Sequence, residues 1–250
     1  MKIIYPYRVS QLQNIYQQGV YVKRKMERLQ TERGTGKERR IPFSGQIGYN
    51  TNSYALYPER GFYLMKNIIV TGCNGQLGIA VNKLLGGNGE YHLVNTDVSD
   101  PGFVKVDRRL DITNVEEVLA FAKEVKPYAI INCAAYTAVD AAETHLDLNY
   151  KINAIGPRNL AIAATENQAK LVHISTDYVF PGTSKKPLTE FDPTGPKSVY
   201  GITKLAGENF VKDFARNYFI IRTAWLYGEG KNFVRTMLKV AQTHDEVTVV

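Results

Sequence analysis

The sequence predicts an α/β protein built on a doubly wound parallel sheet. From Met65 onwards, short apolar runs alternate with amphipathic helical patterns. The apolar runs are continuous, which is typical of parallel strands covered on both faces. A glycine-rich stretch also joins the first run to the first helical pattern. Because crossovers between parallel strands are right-handed, this order of elements predicts a doubly wound sheet.

The first half of this region predicts three strands and two helices. "KNIIVT" is a β-branched run and predicts the first strand, and "QLGIAVNKLL" predicts the helix that follows it. "YHLVNT" predicts a strand, "TNVEEVLAFAKEV" a helix and "YAIINCA" another strand. Each apolar run is short enough to be a buried strand, and each helical pattern is long enough to cross over the sheet.

The second half continues the alternation. A long helical stretch is predicted over about 140–167, then the strand "AKLVHIS" and a loop rich in proline and glycine over 181–197. "SVYGITKLAGENFVKDFA" predicts a helix, "YFIIRT" a strand and "NFVRTMLKVAQ" a further helix. The terminal "EVTVV" has the pattern of a strand cut off at its end.

Charge separates the chain into two parts. Residues 1–64 hold 11 lysines and arginines against four glutamates and no aspartate, so they carry the whole formal net charge of +7. Residues 65–250 are electrically balanced and are predicted to be one globular domain, without a basic stripe for nucleic acid. The first part is basic, polar and broken by glycines. We expect a disordered or non-native extension there, with a nucleic-acid or membrane arm as the alternative.

The cysteines and the N-terminus predict a cytoplasmic protein. The two cysteines, Cys73 and Cys133, are too few and too far apart for a disulfide framework or a zinc knuckle. "MKIIYPYRVSQLQ" lacks the apolar run of a signal peptide, and no stretch approaches the length of a membrane span.

"TGCNGQLG" predicts a dinucleotide site, because it places Gly72, Gly75 and Gly78 between a strand and a helix. Glycines let the backbone turn tightly and approach a pyrophosphate at the positive end of the helix. Asp97 ends the second strand, where a carboxylate can accept hydrogen bonds from the adenosine ribose. Its charge disfavours a 2′-phosphate, but Ser99 and Lys105 nearby leave both NADPH and NADH open as the cofactor.

Three segments have the spacing Tyr-x-x-x-Lys, at 21–25, 200–204 and 227–231. The first lies in the glycine-broken extension, and two glycines inside the third disfavour a helix there. The second begins an amphipathic helix, so its tyrosine and lysine lie one turn apart on the same face. The segment "HISTDYVF" precedes it and contains the end of a buried strand at Ser175-Thr176. The carboxyl ends of parallel strands face the ligand crevice.

Thr176, Tyr200 and Lys204 are the predicted catalytic residues. A ketone that receives hydride develops negative charge on its oxygen and needs a proton. Tyrosine is a poor acid near neutral pH until a cation lowers its pKa, and we expect Lys204 to do this while contacting the nicotinamide ribose. Thr176 can hydrogen-bond the same oxygen.

These segments together resemble the extended short-chain dehydrogenase/reductases. The resemblance rests on "TGCNGQLG", "NCAAYTAVDAAE", "STDYVFPG", "VYGITKLAGE" and "IIRTAWLYG", which match in register from Met65 to Val250. Within this family, the chain looks most like the dTDP-4-dehydrorhamnose reductases. The resemblance implies a Rossmann domain and NADPH- or NADH-dependent reduction of dTDP-4-dehydro-L-rhamnose at its C4 ketone.

The resemblance also implies further cofactor contacts. Gln76 and Leu77 are expected to contact the phosphates, and Asp111 and Ile112 the adenine side. The nicotinamide half is expected to contact Ala134, Ala135, Tyr136 and Thr137 together with Tyr200 and Lys204. Asp111 has an alternative, since it could simply cap the helix that begins near Thr113.

The substrate side is implied in the same way. Asp177 and Trp225 are expected to hold the sugar nucleotide beside Thr176. Trp225 could instead belong to the core, where large aromatic side chains are usually well buried. Asn153 in "NAIGPRNLA" orders the active site in similar enzymes, or bonds only within its own helix.

Two departures from the family bear on the prediction. Some members bind magnesium through a glutamate two residues beyond the last glycine of the loop, and that position is Ala80 here, so no metal site is predicted. The family also continues for roughly a hundred residues beyond "EVTVV" in a smaller substrate domain. We therefore expect a complete cofactor domain, with most of the C-terminal substrate domain missing.

Two other functions stay open at this point. Nucleotide-sugar 4,6-dehydratases and epimerases share the fold, but the dehydratases have a glutamate where this chain has Tyr178. A non-catalytic regulatory subunit, of the methionine adenosyltransferase type, retains the fold with a damaged catalytic set. The partner predicted here is a small-molecule substrate, with no nucleic acid and no membrane, and a homodimer is left open.

Overall fold

The computed structural model describes residues 65–99, 102–229 and 232–243. The predicted basic extension and the terminal "EVTVV" lie outside these residues. The described residues up to Asn232 belong to one compact unit, and those from Phe233 belong to a second. The second unit contributes one described helix, Phe233–Val240.

A six-stranded parallel sheet forms the centre of the first unit. Its order is β3-β2-β1-β4-β5-β6, and every pair of neighbours is parallel. This confirms the predicted doubly wound sheet. The strands are β1 (Lys66–Thr71), β2 (Tyr91–Asp97), β3 (Arg108–Arg109), β4 (Ala129–Asn132), β5 (Lys170–Thr176) and β6 (Tyr218–Thr223).

Helices connect the strands in the predicted order. They are α1 (Gln76–Leu85), α2 (Val115–Val125), α3 (Val139–Ala142), α4 (Leu146–Tyr150), α5 (Gly156–Glu166), α6 (Val199–Phe214) and, in the second unit, α7 (Phe233–Val240). A π-helical turn (Lys151–Ile155) joins α4 to α5, and a 3₁₀ turn (Asp177–Val179) follows β5.

The long helical stretch predicted over 140–167 is divided in the structure. It contains α3, α4, the π turn and α5 rather than one helix. Pro157 lies in the first turn of α5, where its missing N–H is tolerated. A π turn is rare and is found mostly within helices at functional sites. The sequence pattern alone did not indicate either interruption.

The two faces of the sheet are buried against different helices. Ile69, Ile130 and Leu171 lie on one face and pack with residues of α2, α5 and α6. Ile68 and Val70 point to the other face, where partly buried residues of α1 cover them. Continuous apolar strands therefore fill two core layers, as the sequence predicted.

The side of the sheet to which successive strands are added changes between β1 and β4. From β1 the chain proceeds to β2 on one side, and from β4 it proceeds to β5 on the other. In such sheets, ligands bind in the crevice outside the carboxyl ends of the strands at this point. No helix among the described residues is long and apolar enough to cross a membrane.

Candidate active site

The glycine loop lies at the carboxyl end of β1, beside the end of β4. Gly72 has a φ of +62°, which favours glycine, and a Cβ there would lie 2.7 Å from the Ala134 nitrogen. A Cβ on Gly78 would lie 2.3 Å from the Gly72 carbonyl oxygen. Both positions therefore require the absence of a side chain, and the loop turns as tightly as a dinucleotide site demands.

The N-terminus of α1 opens onto this loop. Gly75 is its N-cap and offers no side chain, and the first turn contains no acidic residue. Gln76 and Leu77 occupy that turn. Amide groups at a helix N-terminus and the helix dipole together attract phosphate groups. The geometry therefore fits a pyrophosphate above Gln76 and Leu77.

Asp97 closes the loop from the end of β2. Its Oδ2 accepts a hydrogen bond from the Asn74 backbone N–H at 3.0 Å, and its Oδ1 accepts from the Ser99 backbone and hydroxyl at 3.1 and 2.9 Å. The structure thus brings the predicted ribose acid next to the predicted phosphate loop. The backbone N–H and the hydroxyl of Ser99 both donate to Asp97.

Asp111 and Ile112 lie in the turn between β3 and α2. Asp111 Oδ1 accepts hydrogen bonds from the Thr113 backbone and hydroxyl, both at 2.9 Å. The N-cap of α2 is Asn114, so Asp111 shapes the preceding turn without capping the helix itself. Ile112 is buried, and its side chain packs close to Gly156.

The segment Ala134–Thr137 follows β4 along the same edge of the sheet. Asn153 from the π turn holds the backbone of Tyr136 on both sides: Tyr136 N–H donates to Asn153 Oδ1 at 2.9 Å, and Asn153 Nδ2 donates to the Tyr136 carbonyl at 3.0 Å. The Tyr136 hydroxyl also lies 2.9 Å from His145 Nδ1. Asn153 therefore orders the predicted nicotinamide segment and does not bond only within its own helix.

Helix α6 carries Tyr200 and Lys204 to the end of β5. Ser198 caps the helix by accepting from the Gly201 N–H at 3.1 Å, and Glu143 accepts from the Val199 N–H at 2.9 Å. The Tyr200 side chain lies close enough to Thr176, the last residue of β5, for Thr176 to affect its pKa. The predicted pair and the predicted threonine thus meet at one place.

The direction of the pKa shift of Tyr200 differs from the prediction. Burial raises the pKa of Tyr200, the Thr176 hydrogen bond opposes the change, and Asp177 adds to it. Lys204, only 2% exposed, donates to the Ile174 carbonyl at 2.6 Å, and burial lowers its pKa to about 8 against the opposing charge of Glu208. The expected lowering of the Tyr200 pKa by Lys204 is therefore wrong for this state, because the ammonium group is turned to the β5 backbone.

Comparison with known proteins assigns the family. The family model described as RmlD substrate binding domain matches residues 65–250. The chain belongs to this family. The dTDP-4-dehydrorhamnose reductase of Aggregatibacter actinomycetemcomitans is 40% identical over 187 residues, which cover 74% of this chain and 60% of that protein.

Solved structures of dTDP-4-dehydrorhamnose reductases resemble this RmlD-family chain. A dTDP-4-dehydrorhamnose reductase from Clostridium acetobutylicum is 55% identical with a TM-score of 0.67, and the match covers 72% of this chain and 61% of that one. The enzyme from Bacillus anthracis, determined in complex with NADP, is 44% identical with a TM-score of 0.67, covering 74% and 62%. The chain spans about 60% of the length of the curated relatives it matches.

The segment after β6 crosses the site edge of the RmlD-family domain. Gly228 lies close to the Gln76 side chain, and Glu229 forms an ion pair of 2.5 Å with Lys83 on α1. Trp225, at the start of this segment, is 63% exposed and has a φ of +50°. The alternative that places Trp225 in the core is therefore wrong, and its predicted role at the sugar nucleotide stays a prediction.

The 3₁₀ turn after β5 places Asp177 and Tyr178 beside the predicted catalytic residues. Asp177 Oδ1 accepts from the Thr176 hydroxyl at 3.0 Å, and Tyr178 packs edge-to-face on Tyr200 with ring centroids 5.6 Å apart. Among the described residues, no group of three or more histidines, cysteines and acids is placed to hold a metal ion.

Sequence reasoning missed a buried ion pair behind α6. Glu208 is fully buried and binds Arg222 of β6 through two hydrogen bonds of 2.8 and 2.7 Å. Arg222 also donates to the Glu190 carbonyl at 3.3 Å and lies over the Phe180 ring. The available signal was a glutamate one turn after Lys204 on the same helix face.

Proposed function

We propose that this chain carries the cofactor site and the catalytic residues of an NAD(P)H-dependent dTDP-4-dehydrorhamnose reductase. The reaction reduces the C4 ketone of dTDP-4-dehydro-L-rhamnose and forms dTDP-L-rhamnose. The observation that carries the proposal is the meeting of Thr176, Tyr200 and Lys204 at the end of β5, on the same carboxyl edge of the sheet as the glycine loop that follows β1. The enzyme names of the relatives support the substrate.

The residues present fit NADPH or NADH. The glycine loop leaves no room for side chains, and Gln76 Oε1 is buried without a hydrogen-bond partner among the described residues. Asp97 stands where a ribose hydroxyl would donate to it. The relative solved with NADP supports the phosphorylated cofactor. When bound here, the reduced nicotinamide supplies the hydride.

The catalytic residues then have separate tasks. Tyr200 donates the proton to the substrate oxygen, and its raised pKa keeps it protonated before reaction. Thr176 hydrogen-bonds the same oxygen, and one such donor is worth about 10²–10³ in rate. Lys204, held by the Ile174 carbonyl, is expected to contact the nicotinamide ribose when the cofactor is bound. Protonation and charge stabilisation thus both act only as the oxygen becomes negative.

The substrate side of the proposal rests on the neighbours of this trio. Asp177 adjoins Thr176 through its hydrogen bond, and the exposed Trp225 follows β6 at the same edge. We infer that these two residues hold the sugar nucleotide. Tyr178, rather than a glutamate, stands next to Tyr200, which favours simple reduction over 4,6-dehydration because no extra carboxylate moves protons on the sugar.

Tyr200→Phe tests the proposal. Cofactor binding, measured by NADPH and NADH fluorescence titration, is expected to stay within about twofold, because the phenol acts only on the substrate oxygen. Turnover of dTDP-4-dehydro-L-rhamnose is expected to fall by about a hundredfold or more. Tyr128→Phe, at the opposite end of β4, is the matched control and should retain turnover.

Near-normal turnover in Tyr200→Phe would contradict the catalytic assignment. Cofactor binding without any turnover would support the regulatory-subunit alternative only in a protein completed to the full length of its relatives, because this chain spans about 60% of that length.

We also infer a cytoplasmic location and a small-molecule substrate, with neither nucleic acid nor membrane as a partner. The two thiols without a disulfide pattern favour a reducing compartment. The balanced charge of residues 65–250 offers no phosphate-binding stripe. A homodimer stays a prediction, and light scattering of the purified chain tests it.

A further inference from the structure

Three fully buried polar side chains lie between α6 and the segment after β4. Asn149 belongs to α4, Asn153 to the π turn and Thr203 to α6, and each is at most 1% exposed. None of them is among the residues that bind or react in the proposed mechanism. Burying three polar groups is costly unless they are hydrogen-bonded.

Hydrogen bonds join these side chains into one chain. The Thr203 hydroxyl donates to Asn149 Oδ1 and lies 3.0 Å from the Tyr200 carbonyl oxygen. Asn149 Oδ1 also accepts from Asn153 Nδ2 at 2.9 Å. Asn153 in turn holds the backbone N–H and carbonyl of Tyr136. A continuous path of hydrogen bonds therefore runs from Thr203, three residues after Tyr200 on α6, to the backbone of Tyr136.

The backbone packing around this path leaves little freedom. A Cβ on Gly207 would lie 2.2 Å from the Asn153 carbonyl oxygen, so α6 rests directly on the π turn. The π turn begins directly after α4, and the side chains of Asn149 and Asn153 are hydrogen-bonded to each other across this junction. Such turns occur mostly at functional sites.

We propose that Thr203 is a positioning residue, which fixes the separation between Tyr200 and the segment Ala134–Thr137 through Asn149 and Asn153. The inference rests on the proposed function, in which Tyr200 delivers the proton and this segment faces the nicotinamide half of the cofactor. The hydroxyl of Thr203 thereby links the acid on α6 to the surface that holds the hydride donor.

The expected effect follows from geometry. A misplacement of reacting groups by about 1 Å can cost roughly a hundredfold in rate. Without the Thr203 hydroxyl, Asn149 Oδ1 loses a donor inside the core, where an unmatched polar group costs more than it does in water. The side chains then rearrange, and the link between α6 and Tyr136 is lost without removal of any residue that contacts substrate or cofactor.

Thr203→Val and Thr203→Ser form the test pair. Valine keeps the shape and removes the hydroxyl, whereas serine keeps the hydroxyl. Thr203→Val is expected to lower kcat by about tenfold or more, with the Kd for NADPH within about twofold. Thr203→Ser is expected to stay within about threefold of the parent kcat. Thr165→Val is the matched control, because its hydroxyl bonds the Phe214 carbonyl at the far end of α6.

A second readout does not depend on turnover. The Tyr136 amide donates to Asn153, so its hydrogen exchange in the cofactor-free chain is expected to be about tenfold faster in Thr203→Val, and unchanged in Thr203→Ser and Thr165→Val. The amide of the core residue Ile130 reports any general loss of stability. If Thr203→Val does not fold, Thr203→Ala removes the same hydroxyl and takes its place.

The two readouts separate the two proposals. Loss of the reductase function, with no turnover in the parent chain, leaves the exchange experiment intact. Unchanged exchange at Tyr136 in Thr203→Val, exchange that rises equally at Ile130, or a kcat in Thr203→Ser as low as in Thr203→Val would each overturn the positioning role.

Discussion

Lys204 is an ammonium group almost completely removed from water. Its single described hydrogen bond is to the Ile174 carbonyl, and burial lowers its pKa to about 8. The neighbouring charged and titratable side chains are Glu208, which favours the cation, and His173, whose pKa is lowered far below its usual range by burial and by Lys204. A cation held in this way costs stability, which is expected of a residue kept for chemistry.

The stability of the parent chain relative to Lys204→Met should therefore depend on pH. Below about pH 8 the lysine is charged in both the folded and the unfolded chain, and the full burial cost is present. Between about 8 and 10.4 the folded chain releases the proton first, so the unfolded chain binds more protons and the relative stability of the parent rises with pH. The total change is about 3 kcal/mol, at about 1.4 kcal/mol per pKa unit.

Urea unfolding of both proteins from pH 7 to 10 measures this difference. A difference in the free energy of unfolding that is constant across this range would show that Lys204 is not a buried cation with a lowered pKa.

At the residue scale, the sequence predicted which functional side chains lie close together, but not the groups to which each of them hydrogen-bonds. The Tyr-x-x-x-Lys spacing and the end of β5 placed Tyr200 near Thr176, as the structure has it. The spacing did not reveal that Lys204 turns to the backbone of β5, because the partner is a carbonyl group with no sequence signature. The same holds for Asn153, whose bonds to Tyr136 depend on the approach of two distant segments.

The connection from β1 to α1 is the element on which cofactor binding depends most. Gly78→Ala would place a methyl group 2.3 Å from the Gly72 carbonyl oxygen and 2.6 Å from Cys73 Cα. The loop must open, and we expect NADPH affinity to fall by at least about tenfold, which is about 1.4 kcal/mol. Gly87→Ala, where a Cβ meets nothing within 4 Å, is the matched control. Equal affinities of the two variants, measured by fluorescence titration, would argue against the loop as the phosphate site.

The contact between α6 and β6 depends on the Glu208–Arg222 pair. Glu208→Gln leaves a partly buried guanidinium without its carboxylate, and breaking such a pair costs about 3 kcal/mol or more. Glu124→Gln breaks the exposed pair of Arg108 and Glu124, which is worth about 0–1 kcal/mol. Urea denaturation compares the two variants, and similar losses would show that the Glu208 pair contributes no more than a surface pair.

The strands and helices that the sequence predicted share one property, a clear apolar period. β1 and α1 begin and end where "KNIIVT" and "QLGIAVNKLL" indicated. β3 was missed because it has only two residues, both exposed arginines, and is formed by pairing with β2. The single helix over 140–167 was wrong because the π turn is stabilised by contacts with α6, which no local pattern records.

On the scale of the whole molecule, the net charge of each region indicated function better than the net charge of the whole chain. The formal net charge of +7 suggests nucleic acid, but all of it lies in residues 1–64, outside the region that matches the family. The motifs along residues 65–250 predicted the family in combination, because they come from different loops, strand ends and helices of the same domain. The substrate side depends on residues of the long loop and of the segment after β6, whose positions the strand pattern does not determine.

In the function that we propose, hydride passes to C4 of the sugar nucleotide in the crevice between the glycine loop and Tyr200. The most direct measurement uses NADPH deuterated on the transferred position of the nicotinamide, with dTDP-4-dehydro-L-rhamnose and a purified protein in which this chain is completed to the full length of its relatives. Mass spectrometry and NMR of the product should locate one deuterium at sugar C4, and Tyr200→Phe should bind the labelled cofactor but yield almost no labelled product. Deuterium at another carbon, or oxidation of the cofactor without any labelled sugar, would contradict the account.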